Sequence, residues 1–249
     1  MTELREWSEF LADYDLPPYE GDVRTYLVAT TQRTGSHHLA QLLAGTGAVG
    51  VPFEYLNGYR VGLECRARGW VDDESTHVKL YREMVERRTG MSGWFGLKAH
   101  WHTWVGMSAR PRVRDLVRPE RFLYLTRGDR VAQAASLALA EQTQVWVNPG
   151  CAAARPPVYA ATHIRDALLR IEQECEAWEG FFLARGIDVL RMSYEELLAD
   201  PEVCIDAVFA HLGTPRTAVP PRALPRLNAR ADDLVESWSA RYRDEVVDT

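Results

Sequence analysis

The sequence predicts an α/β protein with a central, mainly parallel sheet flanked by helices. Three observations carry this. Tyr26–Thr31, Arg121–Thr126 and Ile187–Met192 are short apolar or β-branched runs of strand length. Between and after them, apolar residues recur at helical spacing. The first strand and its helix are joined by a tight polar turn, Gln32-Arg33-Thr34-Gly35-Ser36. Strands alternating with helices imply parallel pairing, and ligands in such sheets bind at the carboxyl ends of the strands.

In chain order, residues 1–20 are expected to hold an amphipathic helix, with Leu4, Trp7, Leu11 and Tyr14 on one stripe and Pro17-Pro18 after it. Strand Tyr26–Thr31 then runs into the turn at 32–36, and a helix starts at Ser36 with Leu39, Leu42 and Leu43 inward. Strand, tight loop and helix together aim free backbone N–H groups at an anion. Gly35 permits close approach, Ser36 is placed to cap the helix, and Arg33 adds a positive fork. No GK pair is present, so this is not a Walker A loop, and the same residues also suit an ordinary strand-to-helix turn.

Glu54 follows, between Phe53 and Tyr55 in a glycine-rich stretch that Pro52 stiffens. An acid in an apolar loop can have a raised pKa and act as a base. Local residues alone favour a surface acid or a helix cap. A mixed-charge helix is expected over 74–89, then a strand over 93–102. On that strand Lys98, His100 and His102 would share one face. Lys98 is the best candidate for an anion site, because the turn at 32–36 lacks a lysine; either histidine also reads as a solvated side chain.

The strand 121–126 ends in Arg127-Gly128-Asp129-Arg130, with a helix from about Asp129 that carries Val131, Ala134, Ala135 and Ala138 inward and Ser136 along its length. Magnesium-dependent NTPases place an Asp at such a strand end to hold the metal. Arg127 there argues for a second anion bound directly, a surface salt bridge being the alternative. Trp146 closes this region, either stacking on a flat ring or sealing the core. Residues 160–184 form a long amphipathic helix, and Ile187–Met192 a fourth strand. Ser193 with Glu196 makes a capping box, and Asp200-Pro201 opens a helix that Gly213 ends. Arg222, Arg226 and Arg230 mark the segment 214–249, which is expected to cover the site.

The 249 residues fit one domain, 1–249. A net charge of −6 argues against general nucleic-acid binding. No run approaches ~20 apolar residues, so no membrane span is expected. The four cysteines, Cys65, Cys151, Cys175 and Cys204, are scattered and make no zinc spacing. With an acidic, leaderless N-terminus, they suggest a reducing cytoplasmic location.

The motifs then gain a family. QRTGS at 32–36 resembles the 5′-phosphosulfate loop of sulfotransferases, and TRGDRVAQAAS, with Arg127 and Ser136, resembles their 3′-phosphate motif. YLVATTQRTGS, the GxxxxPxEY block around Glu54, the GxK…W block at 96–101, RxDxxxQAxS at 127–136, QT…W at 142–146 and ESWSARYR at 236–243 follow the order of the bacterial Stf0 sulfotransferases. The resemblance implies a P-loop-NTPase-like sulfotransferase fold and the donor 3′-phosphoadenosine 5′-phosphosulfate, PAPS, giving PAP, with no metal. It assigns Gln32, Arg33, Thr34, Gly35, Ser36 and His37 to the 5′ side of the donor, and Arg127 with Ser136 to the 3′-phosphate. It makes Glu54 the general base, with Arg33 and Lys98 as further catalytic groups. The acceptor would be a small-molecule hydroxyl, on a carbohydrate, glycolipid or natural product, and a homodimer is in keeping with the family. Two departures stand out. Where one member of the family has a second acid three residues before the base, this chain has Val51, and His37 stands in place of that member's Thr after the loop Ser. The lost acid removes hydrogen-bond capacity for a sugar hydroxyl, and Phe53, Tyr55, Tyr59, Trp101 and Trp104 suit either a less polar acceptor or the core. The rival functions are a metal-dependent P-loop small-molecule kinase and a nucleotide-binding module without catalysis.

Overall fold

β1 (Arg24–Thr30) is the spine of the molecule in a computed structural model that describes residues 8–146, 156–216 and 233–247. Its β-branched and aromatic residues favour an extended chain, and burial on both faces explains why it shows no polar alternation. β2 (Trp94–His100) and β3 (Arg121–Thr126) pair with it in parallel, and β4 (Val189–Ser193) pairs with β3. Among the described residues the sheet order is β2-β1-β3-β4. All four strands therefore end at one edge, with Thr30 beside His100 and Leu125.

Alternation along the strands divides the core. Leu27, Ala29, Phe95, Leu97, Phe122 and Tyr124 face one layer, built with α2 (Gly58–Ala67), α3 (Glu74–Arg88), α4 (Trp101–Ser108), α5 (Pro111–Leu116) and α7 (Ala161–Arg185). Tyr26, Val28, Leu123 and Leu125 face the other, built with α1 (Ser36–Gly45), α8 (Tyr194–Ala199) and α9 (Pro201–Leu212). A third cluster joins α6 (Arg130–Thr143), α7 and α10 (Asp233–Val247). Among the described residues no helix is long and apolar enough to cross a membrane.

Several expectations change here. The strand expected over 93–102 stops at His100, and Trp101 starts α4. His102 therefore leaves the face shared by Lys98 and His100; its Nδ1 lies 2.7 Å from Glu174 instead. Of the N-terminal helix, residues 1–7 lie outside the described residues, and between 8 and 20 only Ala12–Tyr14 is helical, as one 3-10 turn. Ser36 is the first residue of α1 and does not cap it; Gly35 is the N-cap, with no side chain closing the helix end. Cys151 and the arginines at 222, 226 and 230 lie outside the described residues.

Candidate active site

The turn after β1 is held from three sides. Thr34 turns inward, 2.5 Å from Thr30 Oγ1 and 3.1 Å from the Thr31 carbonyl. Gln133, buried on α6, donates through Nε2 to the Gln32 carbonyl at 2.6 Å and to Thr31 Oγ1 at 2.8 Å. Arg33 and Gly35 have φ of 64° and 77°. Gly35 is required twice over: the left-handed backbone suits it, and a Cβ there would sit 2.4 Å from Cδ2 of Tyr194. The uncapped first turn of α1 opens beside this ring, a natural seat for an anion.

Arg127 reaches the same turn. Its Nη1 donates to the Arg33 carbonyl at 3.4 Å, and its guanidinium lies 4.8 Å from the centre of the Tyr194 ring. Its Nε is buried and has no hydrogen-bond partner among the described residues. The Arg33 side chain runs to Ser136, donating from Nε to Oγ at 3.0 Å, and from Nη1 to the Trp146 carbonyl at 2.5 Å. The two expected anion clusters are thus contiguous, with Arg33 spanning them. Glu195 fixes the loop after β3 by accepting from Gly128 N at 2.9 Å and Asp129 N at 3.2 Å. Asp129 caps α6 through Ala132 N and pairs with Arg243 of α10 at 2.6 Å.

The acid side of the site lies at the end of β2. Phe53 bridges to Leu97 in parallel, and Lys98 N donates to the Phe53 carbonyl at 2.9 Å, so residues 51–55 run beside β2 like a strand fragment. That brings Glu54 against Lys98. Its Oε1 lies 3.0 Å from Lys98 Nζ and 3.3 Å from His100 Nε2, while its Oε2 accepts from Asn57 Nδ2 at 2.8 Å and lies 3.8 Å from Arg60 Nε. The expected raised pKa is not what this environment gives. Burial alone pushes the Glu54 carboxyl up, but Lys98, His100 and Arg60 together hold it well below the usual carboxylate range. Glu54 is therefore neither lone nor a surface acid, and it is ionised at neutral pH.

His37 joins the two sides. It stands in the first turn of α1, and its Nε2 lies 3.8 Å from Glu54 Oε1. Burial, with Lys98 nearby, lowers its pKa well below the ordinary histidine value, so the ring is neutral. Glu9 is the residue that sequence reasoning missed. It is 1% exposed, accepts the Glu54 N–H at 2.9 Å and lies 3.8 Å from His37 Nδ1. No motif marks it. Tyr194, Glu195 and Gln133 were also missed, although Gln133 lies inside RGDRVAQAAS and Ser193–Glu196 reads correctly as a capping box.

The aromatic candidates for an acceptor wall have other roles. Phe53 and Tyr55 are core residues, Tyr59 is 70% exposed, and Trp101 and Trp104 pack on Trp178 and Phe181. Val51 is wholly buried in the same core.

An ionised carboxylate held by cations, meeting a basic anion loop across one helix turn, suits group transfer from an anionic donor to a hydroxyl. Comparison with known proteins identifies the family. The profile of the Stf0 sulphotransferase family matches residues 25–245. Trehalose 2-sulfotransferase of Mycobacterium tuberculosis (strain ATCC 35801 / TMC 107 / Erdman) is 30% identical, over 90% of this chain and 96% of its own length. Trehalose 2-sulfotransferase of Mycolicibacterium smegmatis (strain ATCC 700084 / mc(2)155) is 26% identical, over 89% and 95%. In fold, the sulfotransferase domain from the curacin biosynthetic pathway superposes with a TM-score of 0.50 at 12% identity, over 92% of this chain and 99% of that one. With the match spanning both clusters and the sheet between them, the chain belongs to the Stf0 sulfotransferase family and is a sulfotransferase.

Proposed function

We propose that this enzyme moves a sulfuryl group from PAPS to a hydroxyl of a small-molecule acceptor, with Glu54 as general base. One observation carries the reading: Glu54 touches the first turn of α1 on one side, and Arg127 touches the preceding turn on the other. The chain's residues fit the donor. Gly35 takes the left-handed turn with the Tyr194 ring packed against it, the first turn of α1 is uncapped, and the buried Arg127 Nε lacks a hydrogen-bond partner among the described residues. Arg33, Gly35 and Ser36, with Gln32, Thr34 and His37 around them, would hold the 5′-phosphosulfate. Arg127 and Ser136 would hold the 3′-phosphate, and Arg33 is placed to serve both.

Bound PAPS supplies an activated sulfuryl group with a phosphate as leaving group. Glu54 removes the proton of the acceptor hydroxyl. Lys98 keeps Glu54 ionised and fixes its direction. Arg33 and the N–H groups of α1 stabilise charge on the donor side. Lys98 and Arg60 already neutralise the pocket carboxylates, which supports chemistry without a divalent ion. The relatives are named for trehalose; for this chain the acceptor class is a hydroxyl on a carbohydrate, glycolipid or natural product.

The reading extends to the whole chain as one domain, with the segment 214–249 covering the donor side; docking of α10 on α6 beside Asp129 supports that. Free thiols at Cys65, Cys175 and Cys204 support a reducing cytoplasmic setting. A homodimer rests on the family resemblance, and light scattering tests it. The central experiment is a screen of sugars, alcohols and nucleosides with PAPS, read by the mass gain of one SO₃ unit. Activity that survives a chelator is expected. Transfer from ATP with magnesium in place of PAPS would sink the reading in favour of a kinase. Glu54→Gln is expected to retain PAP binding and lose turnover by about 10²-fold or more.

A further inference from the structure

Glu9 enters the site from outside the strand-and-loop pattern. Its Oε2 accepts the Glu54 N–H at 2.9 Å. Its Oε1 is buried and has no hydrogen-bond partner among the described residues. His37 lies between the two carboxylates, with Nδ1 3.8 Å from Glu9 Oε1 and Nε2 3.8 Å from Glu54 Oε1. One ligand atom from each of the three residues lies within 4.8 Å of the others.

Two chemistries suit such a cluster, holding a cation or passing a proton. Lys98 at 3.0 Å and Arg60 at 3.8 Å from Glu54 already balance the two carboxylates, so a divalent ion would meet their repulsion. An imidazole, by contrast, takes a proton on one nitrogen while giving one from the other.

We propose that Glu9 is a positioning residue for Glu54 and the resting place of the proton that Glu54 removes from the acceptor, with the His37 ring as the bridge. The inference rests on Glu54 being the base. Glu54 first holds the hydroxyl proton on Oε1. That proton passes to His37 Nε2 as the Nδ1 proton passes to Glu9 Oε1. Glu54 is ionised again, His37 stays neutral, Glu9 is neutral, and no electron has moved. Once product leaves, the reverse sequence returns the proton to Glu54 and then to water. Each 3.8 Å gap must close by about 1 Å to reach hydrogen-bond length.

Proton affinities run in the direction required. Glu54 is held low by Lys98, His100 and Arg60 against its burial. Glu9 is raised by burial and, less, by Glu54, against Arg60, Lys98 and the Glu54 N–H. The groups facing Glu9 are His37 of α1, Glu54 and Tyr55 of the strand fragment, Arg60 of α2 and Lys98 of β2.

Glu9→Gln tests this, because it keeps a carbonyl for the Glu54 N–H and cannot store a proton. We expect unchanged PAP affinity, a turnover loss of about tenfold or more, and an acid limb of the pH–rate profile moved to lower pH. The limb moves down because the group of higher pKa is gone. Glu9→Asp should restore the limb. Glu54→Gln is run alongside. If it is inactive while Glu9→Gln keeps wild-type turnover and limb, only this inference fails. If it is active, the base assignment fails and this inference with it. Should Glu9→Gln show no cooperative melting transition, His37→Gln decides: a wild-type profile there overturns the relay, and the same downward move of the acid limb supports it.

Discussion

The pair Glu54–Lys98 carries part of the stability and, in the proposed mechanism, the base. Both side chains are almost wholly buried, so each is costly without the other. Lys98→Met should destabilise the fold by about 3–5 kcal/mol, the usual effect of breaking a buried pair from one side. It should also raise the Glu54 pKa, moving the acid limb of activity upward. Denaturant unfolding and a pH–rate profile check the two effects separately. The sign of the stability contribution follows from the depressed carboxyl. Its ionised form stabilises the fold above the unfolded-state pKa, and that contribution is lost as pH falls through the lower folded value. Gly35 is the other residue on which local geometry turns. Gly35→Ala must accept a φ of 77° and displace the Tyr194 ring, at a cost of at least about 1 kcal/mol. Lower melting temperature and weaker PAP binding together are the expected outcome.

At the scale of elements, the loop following β3 is held by the protein's own side chains. Glu195 takes two of its N–H groups, Asp129 caps α6, and Arg243 ties that cap to α10. Arg127→Ala should therefore leave the loop in place and remove one recognition group. Calorimetric titration should show a large loss for PAP and a small one for the same nucleotide with a 3′-hydroxyl. Equal loss for both would take Arg127 out of the 3′ site. The strands, the turn at 32–36 and Arg127 were legible because each is written in contiguous residues: a β-branched run, a break, a charged end. α2, α4 and α5 were not. Gly58–Ala67 is capped by Asn57 but has a weak apolar stripe, and Trp101–Ser108 continues the apolar character of β2 with no punctuating residue. That continuity is why His102 was read onto the strand. The depressed Glu54 pKa was illegible for a related reason. Its partners Lys98 and Arg60 come from other elements, and no local pattern places them within 4 Å.

For the whole molecule, the segment 8–16 acts as a strap across the acid side of the sheet. Leu16 N bonds the Arg87 carbonyl at 2.8 Å, Tyr14 stands edge-on to Phe53 at 4.8 Å, and Phe10 packs on Tyr55. Its anchor is Arg88, buried at 0% exposure, which donates to the Leu11 carbonyl at 2.6 Å and lies 3.0 Å from Asp15. Tyr14 was legible as an inward residue, but the helical stripe was not what forms and the path was not legible, since every partner lies far along the chain. Arg88→Met keeps most of the side-chain volume and removes both polar contacts. It leaves a carbonyl unsatisfied and Asp15 partly hydrated, so a destabilisation of about 1–3 kcal/mol is expected. The functional effect should be distinct. If the strap delivers Glu9 to Glu54, loosening it lowers turnover while PAP binding, proposed at β1, α1 and α6, stays near wild type. Hydrogen exchange at residues 8–16, PAP titration and turnover on the same preparation test this. Faster exchange with unaltered turnover would detach the strap from catalysis and leave it a purely structural cover.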